Sequence, residues 1–338
     1  MGCLDEELKK SVYDMYGYSV KHMEKVRDHL FLLFTADDCF VLKLFSHAEQ
    51  LNWQVKCVNQ LLEQGARGIV PFVYNRFHSG INEYNGQAFG LMPFIPGQPI
   101  DLTRGDHRRA SLALLAQFHL KGKGIYGKKP SLTHQSVLFQ KWQNQLDQFK
   151  QSLPSDLQRE ELRRDRRVIS VQWLQYAKEA ILWAESVLAH FPHAFLHYLE
   201  EQAQWERQLA HLDIEASNLL VMEDKFFYLV DYDHLDYAPP YVDLIQYLQL
   251  VLPFVQWKDE AIEELLAVYE TFRPLSKEEK AYLPLLLAYP QDVFRKWLAL
   301  DRGKLDEDPQ WEERFLQEVR KQWEERRRFV QRFLPVLK

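Results

Sequence analysis

A chain of 338 residues, 46% hydrophobic and 14% aromatic, is long enough for one large domain or two packed lobes and too apolar to stay disordered. Its 42 basic and 48 acidic residues give a formal charge of −6, spread along the chain, so nothing draws it to nucleic acid or an anionic membrane surface. No run reaches the roughly 18 uninterrupted apolar residues of a membrane helix. The start MGCLDEELKK is charged and lacks the apolar core of a signal peptide, and Glu6 stands where a myristoylation signal has Ser or Thr. Cys3, Cys39 and Cys57 are odd in number and lack metal-ligand spacing, which argues against a disulfide framework or a cysteine zinc site. A cytoplasmic protein is expected.

In chain order, the first hundred residues predict a small sheet with one helix. VKHMEKV (20–26), LFLLFT (30–35) and CFVLKLF (39–45) are short runs rich in β-branched and aromatic residues, and the turn ADD makes the last two a hairpin. A helical pattern runs from Ser46 to Gln64, with Leu51, Val55, Val58 and Leu62 near one face and Gly65 as its stop. FVYNRF (72–77) and QAFGLMPF (87–94) predict two more strands. The Pro- and Gly-bearing IPGQPID (95–101) reads as a linker between a first lobe, 1–94, and a second, 102–338.

The second lobe predicts mostly helix, through RRASLALLAQFHL (108–120), VLFQKWQNQLDQF (137–149) and SVQWLQYAKEAILWAESVLAHF (170–191). The charge-dense QREELRRDRR (158–167) reads as a solvated face or exposed connection. Trp311, Phe315, Val319 and Trp323, at intervals of four, predict an amphipathic closing helix. One β-like island interrupts the helices: NLLVMEDKFFYLVDYD (218–233), two apolar runs joined by Glu223, Asp224 and Lys225.

That island follows HLDIEAS, and together they carry the chemistry. An Asp in a loop, an Asn five positions on, and a strand ending in a second Asp suit phosphoryl transfer. The first Asp orients or deprotonates an acceptor hydroxyl, and the Asn and second Asp offer hard oxygens to a Mg²⁺ carrying nucleotide phosphates. Asp213 is then the base and Asn218 and Asp231 the metal ligands, with the hairpin between them returning both ligands to one point. His211 reads as a structural residue of the loop at 211–218. Asp233, at the end of the metal-binding strand 226–233, is either a further ligand or a cap for the next turn.

HLDIEASNLL followed by YLVDYDHL resembles the catalytic loop and metal-binding strand of the aminoglycoside phosphotransferase and choline kinase family, whose usual pattern is H-G-D-x-x-x-x-N and then I-D-x-[DE]. Length, the LMPFIPG hinge and LAQFHLKGKGI make the kinase-like spore coat proteins of endospore-forming bacteria the nearest group within it. The resemblance implies an α+β, protein-kinase-like two-lobed fold, with a small antiparallel-sheet lobe and a large, mainly helical one. It implies that Lys43 of CFVLKLF grips nucleotide phosphates and that Asp243 of PPYVDLIQYL braces the catalytic loop. ATP and Mg²⁺ are the expected cofactors, a hydroxyl compound the expected acceptor, and the spore coat, with its other proteins as partners, the expected location.

Two positions depart from the family pattern. The helix glutamate that pairs with the strand lysine is replaced by Gln54, counting back from Gly65; Glu49, five residues away, lies about 140° around the helix. The turn in EKVRDHLFLL holds no glycine where the backbone would approach the phosphates. A kinase-shaped coat component with weak or no catalysis is therefore the alternative to an active phosphotransferase. Two decoys are set aside: GKGIYG (122–127) matches a phosphate-loop pattern but follows a helix, so it reads as a helix stop and loop. His193, His197 and Glu201 share a helix face but lack the general-base glutamate of an H-E-x-x-H site.

Overall fold

The computed structural model describes residues 2–127, 138–153, 171–295 and 311–333. The chain divides into two compact units: residues 1–134, 200–243 and 268–273 form one, and 135–199, 244–267 and 274–338 the other.

The first unit is built on a five-stranded antiparallel sheet of β1 (His22–Arg27), β2 (Leu30–Phe34), β3 (Cys39–Phe45), β4 (Asn82–Tyr84) and β5 (Gln87–Pro93), in the order β1-β2-β3-β5-β4. Strand alternation sorts β3: Phe40 and Leu42 share one face with Phe89 and Leu91 of β5, and Lys43 and Phe45 take the other. The first face is covered by a helix the sequence reading did not foresee, α1 (Gly2–Tyr16), through Leu8, Val12 and Tyr16. The other receives α2 (Ala48–Glu63), where Leu51, Val55 and Val58 are buried as expected. Leu61, not Leu62, fills the fourth core position, and Gly65 ends the helix at φ +79°. The lysine face and the α2 face are therefore one.

Residues 72–77 do not form the expected strand. Only Val73 N–H reaches β5, at Leu91 O (2.7 Å). Asn75 then turns the chain, its Oδ1 accepting from Phe77 and Ser79 N–H. A side chain that caps its own backbone competes with the ladder, and the pairing passes to β4. The linker also differs from expectation: β6 (Gln98–Pro99) pairs with Leu220 and Val221. The predicted island is the hairpin of β8 (Leu219–Met222) and β9 (Phe226–Leu229), turned by Glu223 and Asp224 at φ +52° and +54°, the two left-handed residues of a type I′ hairpin turn. Before it lie α3 (Gly105–Lys121) and β7 (Leu209–Ala210), the latter paired with β10 (Asp236–Tyr237).

The second unit is helical among its described residues. It contains α4 (Leu138–Ser152) and α5 (Val171–Ala189), together with most of α7 (Pro240–Val251) and α8 (Asp259–Glu270). α6 (His193–Glu206) begins in it, and α9 (Lys277–Leu287) and α10 (Trp311–Phe333) complete it. Trp142 stacks on Tyr289 at 4.3 Å, and Trp183 donates to Ala288 O (2.9 Å) and meets Trp323 edge-on. Val319 and Trp323 of the expected amphipathic helix are buried. Residues 158–167 and the side chains of Trp311 and Phe315 lie outside the described residues. No helix among the described residues is long and apolar enough to cross a membrane.

Candidate active site

The loop 211–218 hangs from a buried carboxylate. Asp243, in the first turn of α7, accepts the His211 N–H at Oδ2 and the Leu212 N–H at Oδ1, both at 2.7 Å. These bonds hold Leu212 at φ +65°, a conformation uncommon for a residue with a Cβ. His119 of α3 completes the anchor, its Nε2–H donating to Asp243 Oδ2 at 2.9 Å. Because an ionised carboxylate only accepts, the proton sits on Nε2, and His119 Nδ1 accepts a hydrogen bond from the Tyr269 hydroxyl at 2.8 Å. Both His119 and Asp243 are buried. Burial pulls the imidazole below its ordinary range against the pull of Asp243. Burial pushes the Asp243 carboxyl up, but the hydrogen bonds from His119 and the His211 N–H outweigh it, and the group stays below the usual carboxylate range. His211 is likewise held low by burial; its Nε2–H donates to Val230 O (3.0 Å) and its Nδ1 has no partner.

Asn218 Nδ2 donates to the carbonyl oxygen of Asp213 (2.9 Å) and to its Oδ2 (3.0 Å). The two donors thus commit the amide nitrogen to the loop and turn Asn218 Oδ1 away from it. Antiparallel pairing of Leu219 with Leu229 returns the chain to Asn218, whose carbonyl accepts the Val230 N–H at 3.0 Å. Asp231 comes next, at φ +66°. The exit from β9 is fixed by Tyr232, whose hydroxyl accepts from Val70 N–H and donates to Leu229 O, each at 2.8 Å. Gly68 has φ +68° and lies so close to the Phe227 carbonyl that a Cβ would collide with it.

Lys43 enters this site from β3. Its Nζ lies 2.7 Å from Asp231 Oδ1 and 2.7 Å from Asp233 Oδ1, with 7% of the side chain exposed. Burial raises the Asp231 carboxyl, but the charge and hydrogen bond of Lys43 prevail and hold it below the usual range. Gln54 is buried on α2, and its Nε2 has no hydrogen-bond partner; Glu49 is exposed. The structure therefore gathers Lys43, Asp231 and Asp233 into one ion cluster and Asp213 with Asn218 into one hydrogen-bonded pair, and leaves Gln54 out of both. The β1–β2 turn runs through Asp28 and His29, whose carbonyl accepts from Leu44 N–H (2.8 Å).

α2 is held in place by residues that the sequence did not mark. Gln50 Nε2 reaches Asp233 O (3.4 Å), and Trp53 donates to Leu235 O (3.3 Å) and meets the Tyr237 ring edge-on at 4.9 Å. Gln60 clamps Tyr126, accepting its N–H and donating to its carbonyl, and Tyr237 donates to Ile125 O. The segment 122–127 is the helix stop and loop expected: Gly122 caps α3, and Gly124 takes φ +76°. It is also the wall on which α2 leans, which no local pattern announces. Among the described residues no group of three or more His, Cys, Asp or Glu side chains could hold a metal, and His193 packs its ring between Phe139 and Phe191.

Residues 27–282 match the phosphotransferase enzyme family APH. The chain belongs to that family. Solved structures of the APH fold are similar to it over nearly the whole chain. An aminoglycoside phosphotransferase from Alicyclobacillus acidocaldarius is 19% identical with a TM-score of 0.73, covering 97% of this chain and 96% of its own. An amicoumacin kinase, solved with AMP-PNP, Ca²⁺ and Ami, is 16% identical with a TM-score of 0.57, covering 96% of this chain and 93% of its own. The spectinomycin phosphotransferase APH(9)-Ia, solved with ADP and spectinomycin, is 15% identical with a TM-score of 0.56, covering 94% and 93%. At these identities the likeness is one of fold, and it is the kinase-like APH fold that the catalytic-loop pattern implied, with an antiparallel-sheet N-terminal lobe and a mostly helical C-terminal region.

Proposed function

We propose that this APH-family chain is an ATP- and Mg²⁺-dependent phosphotransferase acting on a hydroxyl of a small molecule, with Asp213 as the base. The observation that carries this reading is the Asp213–Asn218 hydrogen bond beside the Lys43–Asp231 ion pair, a proton acceptor and a phosphate-binding set in one compact unit. The amicoumacin kinase and spectinomycin phosphotransferase, solved with nucleotides, support ATP as the donor.

The donor set fits Mg²⁺, since Asn218 Oδ1 and an Asp231 carboxylate kept ionised are hard oxygens, and this ion commonly takes one or two protein ligands plus phosphates. Once bound there, it would neutralise charge on the phosphates. Asn218 fixes the Asp213 carboxylate through Oδ2, leaving Oδ1 to accept the hydroxyl proton as the acceptor oxygen bonds to the γ-phosphorus and the bond from that phosphorus to the bridging oxygen breaks, releasing ADP. The Lys43 ammonium supplies a cation to the phosphates from the sheet side. Asp243 acts indirectly, by holding the backbone that carries Asp213.

A second reading, a kinase-shaped component of the spore coat with little catalysis, is favoured by one observation: Gln54 puts a neutral, unpartnered amide on the helix where the family pattern has an acid. A thermal-shift titration with ATP, with and without Mg²⁺, tests the first reading. Wild type should gain stability from ATP only with the metal, Asp231→Ala should lose that gain, and Asp213→Asn should keep it while losing at least about 100-fold in any phosphoryl transfer. Equal metal-dependent shifts in wild type and Asp231→Ala would remove the metal assignment, and binding without transfer to any hydroxyl or water would leave the coat reading.

A further inference from the structure

We infer that Asp233 is the positioning residue for Lys43, doing from the end of the metal-binding strand what the missing helix acid does in the family pattern. Lys43 is 7% exposed, and a buried ammonium without a counter-charge is strongly disfavoured. Two carboxylates reach it, Asp231 and Asp233, each with Oδ1 at 2.7 Å. They are not equivalent in use. On the phosphotransfer reading above, Asp231 turns an oxygen to the metal, so its hold on Lys43 weakens when nucleotide binds. Asp233 is then the carboxylate left to keep the buried ammonium paired and aimed.

The helix offers no substitute. The Gln54 amide is neutral, its Nε2 is buried without a partner, and neither of its polar atoms bonds Lys43; Glu49 is exposed. Asp233 is well placed for a lasting hold, because α2 ties down its backbone. Its carbonyl accepts from Gln50 of α2, and the following turn is pinned by Trp53 at Leu235 O. One residue in the turn after β9 thus replaces a charge lost from the helix, which gives Gln54 a physical reason to be tolerated.

The experiment uses the full chain in four forms: wild type, Asp233→Asn, Gln54→Glu and the double variant. Asp233→Asn should weaken Mg·ATP binding about ten-fold, the size of one charge-assisted hydrogen bond, while adenosine binding stays unchanged. In the double variant, Gln54→Glu should restore most of that loss, because it returns a carboxylate to α2, the helix packed on the Lys43 face of the sheet, and should gain much less when Asp233 is present. A second measurement needs no nucleotide: the rate at which an amine-acylating reagent modifies Lys43, followed by mass spectrometry. It should rise several-fold in Asp233→Asn and fall again in the double variant. An unchanged acylation rate in Asp233→Asn overturns the inference, and so does a loss of Mg·ATP affinity that Gln54→Glu leaves unrepaired, which would make Asp233 a metal ligand. If wild type binds no nucleotide, the phosphotransfer reading fails, and the acylation rates alone decide whether Asp233 holds the lysine.

Discussion

Asp243 and Asp231 are both carboxylates held below their ordinary range, and their surroundings could hardly differ more. Asp243 has no exposed surface and is met by three N–H donors, from His211, Leu212 and a neutral His119. Asp231 keeps a third of its side chain exposed and is balanced by a lysine on another element. A carboxylate satisfied by backbone and by a neutral ring cannot let go without breaking the fold; one satisfied by a long, charged side chain can exchange that partner for another cation. The site therefore pairs a fixed anchor with a labile one.

The anchor is where substitution should cost most. Asp243→Ala takes their shared acceptor from two backbone N–H groups and from the buried His119 Nε2–H, and about 3–5 kcal/mol of stability should be lost, a large share of what a typical domain possesses. Asp243→Asn should come close to that, because its NH₂ would face donors. Urea denaturation measures both, and a loss under about 1 kcal/mol would mean the anchor is no firmer than a surface pair.

Acid should sharpen the contrast at smaller cost. His119 and His211 are held below the ordinary imidazole value of 6.5 by burial, so below that value the unfolded chain binds protons that the folded chain refuses. Their contribution is fully present above about pH 6.5 and is lost as pH falls from there towards the folded values. Asp243, also depressed, adds its loss only below the unfolded carboxylate value of 3.8. Melting temperature should thus begin to fall near pH 6.5, well before carboxylates titrate. In His119→Gln that early slope should shrink by one proton's worth, while the introduced amide can still donate to Asp243. A flat profile between pH 6.5 and 5 would contradict the neutral, buried assignment of these rings.

The sequence made some of this visible and hid the rest for physical reasons. β3 was legible to the residue because CFVLKLF is short, apolar and bounded by turn residues. The hairpin at 218–233 was legible because two apolar runs flank a polar tip. The strand at 72–77 failed because Asn75 spends its side chain on the local turn, a choice composition does not reveal. α1 was missed because its apolar face, Leu8, Val12 and Tyr16, is thin within a charged segment and gains its stability from the sheet beneath. Spacing alone singles out Asp213, Asn218 and Asp231 as candidates. It does not single out His119, since one histidine in an apolar helix looks like any other until Asp243 is seen opposite it. The family pattern puts the partner of Lys43 on the helix, at the position of Gln54, whereas two carboxylates from the segment after β9 meet the lysine here.

The smallest expected effect lies on the labile side, at Gly127. A Cβ there would stand 2.7 Å from Cζ3 and 3.0 Å from Cε3 of Trp53, so Gly127→Ala must push the indole, and Trp53 is the residue that ties α2 to Leu235, two positions beyond Asp233. Overpacking of this kind costs about 1 kcal/mol. Because the displaced element carries Gln50 and Trp53, nucleotide affinity should fall a few-fold, while the early acid slope set by His119 and His211 stays as in wild type. Gly124→Asn is the control. A Cβ at Gly124 meets open space, and asparagine tolerates the left-handed conformation of φ +76° better than other residues, so affinity should hold. If Gly124→Asn and Gly127→Ala weaken nucleotide binding equally, the loop acts through its backbone shape alone, and Trp53 is not the route by which 122–127 bears on the lysine site.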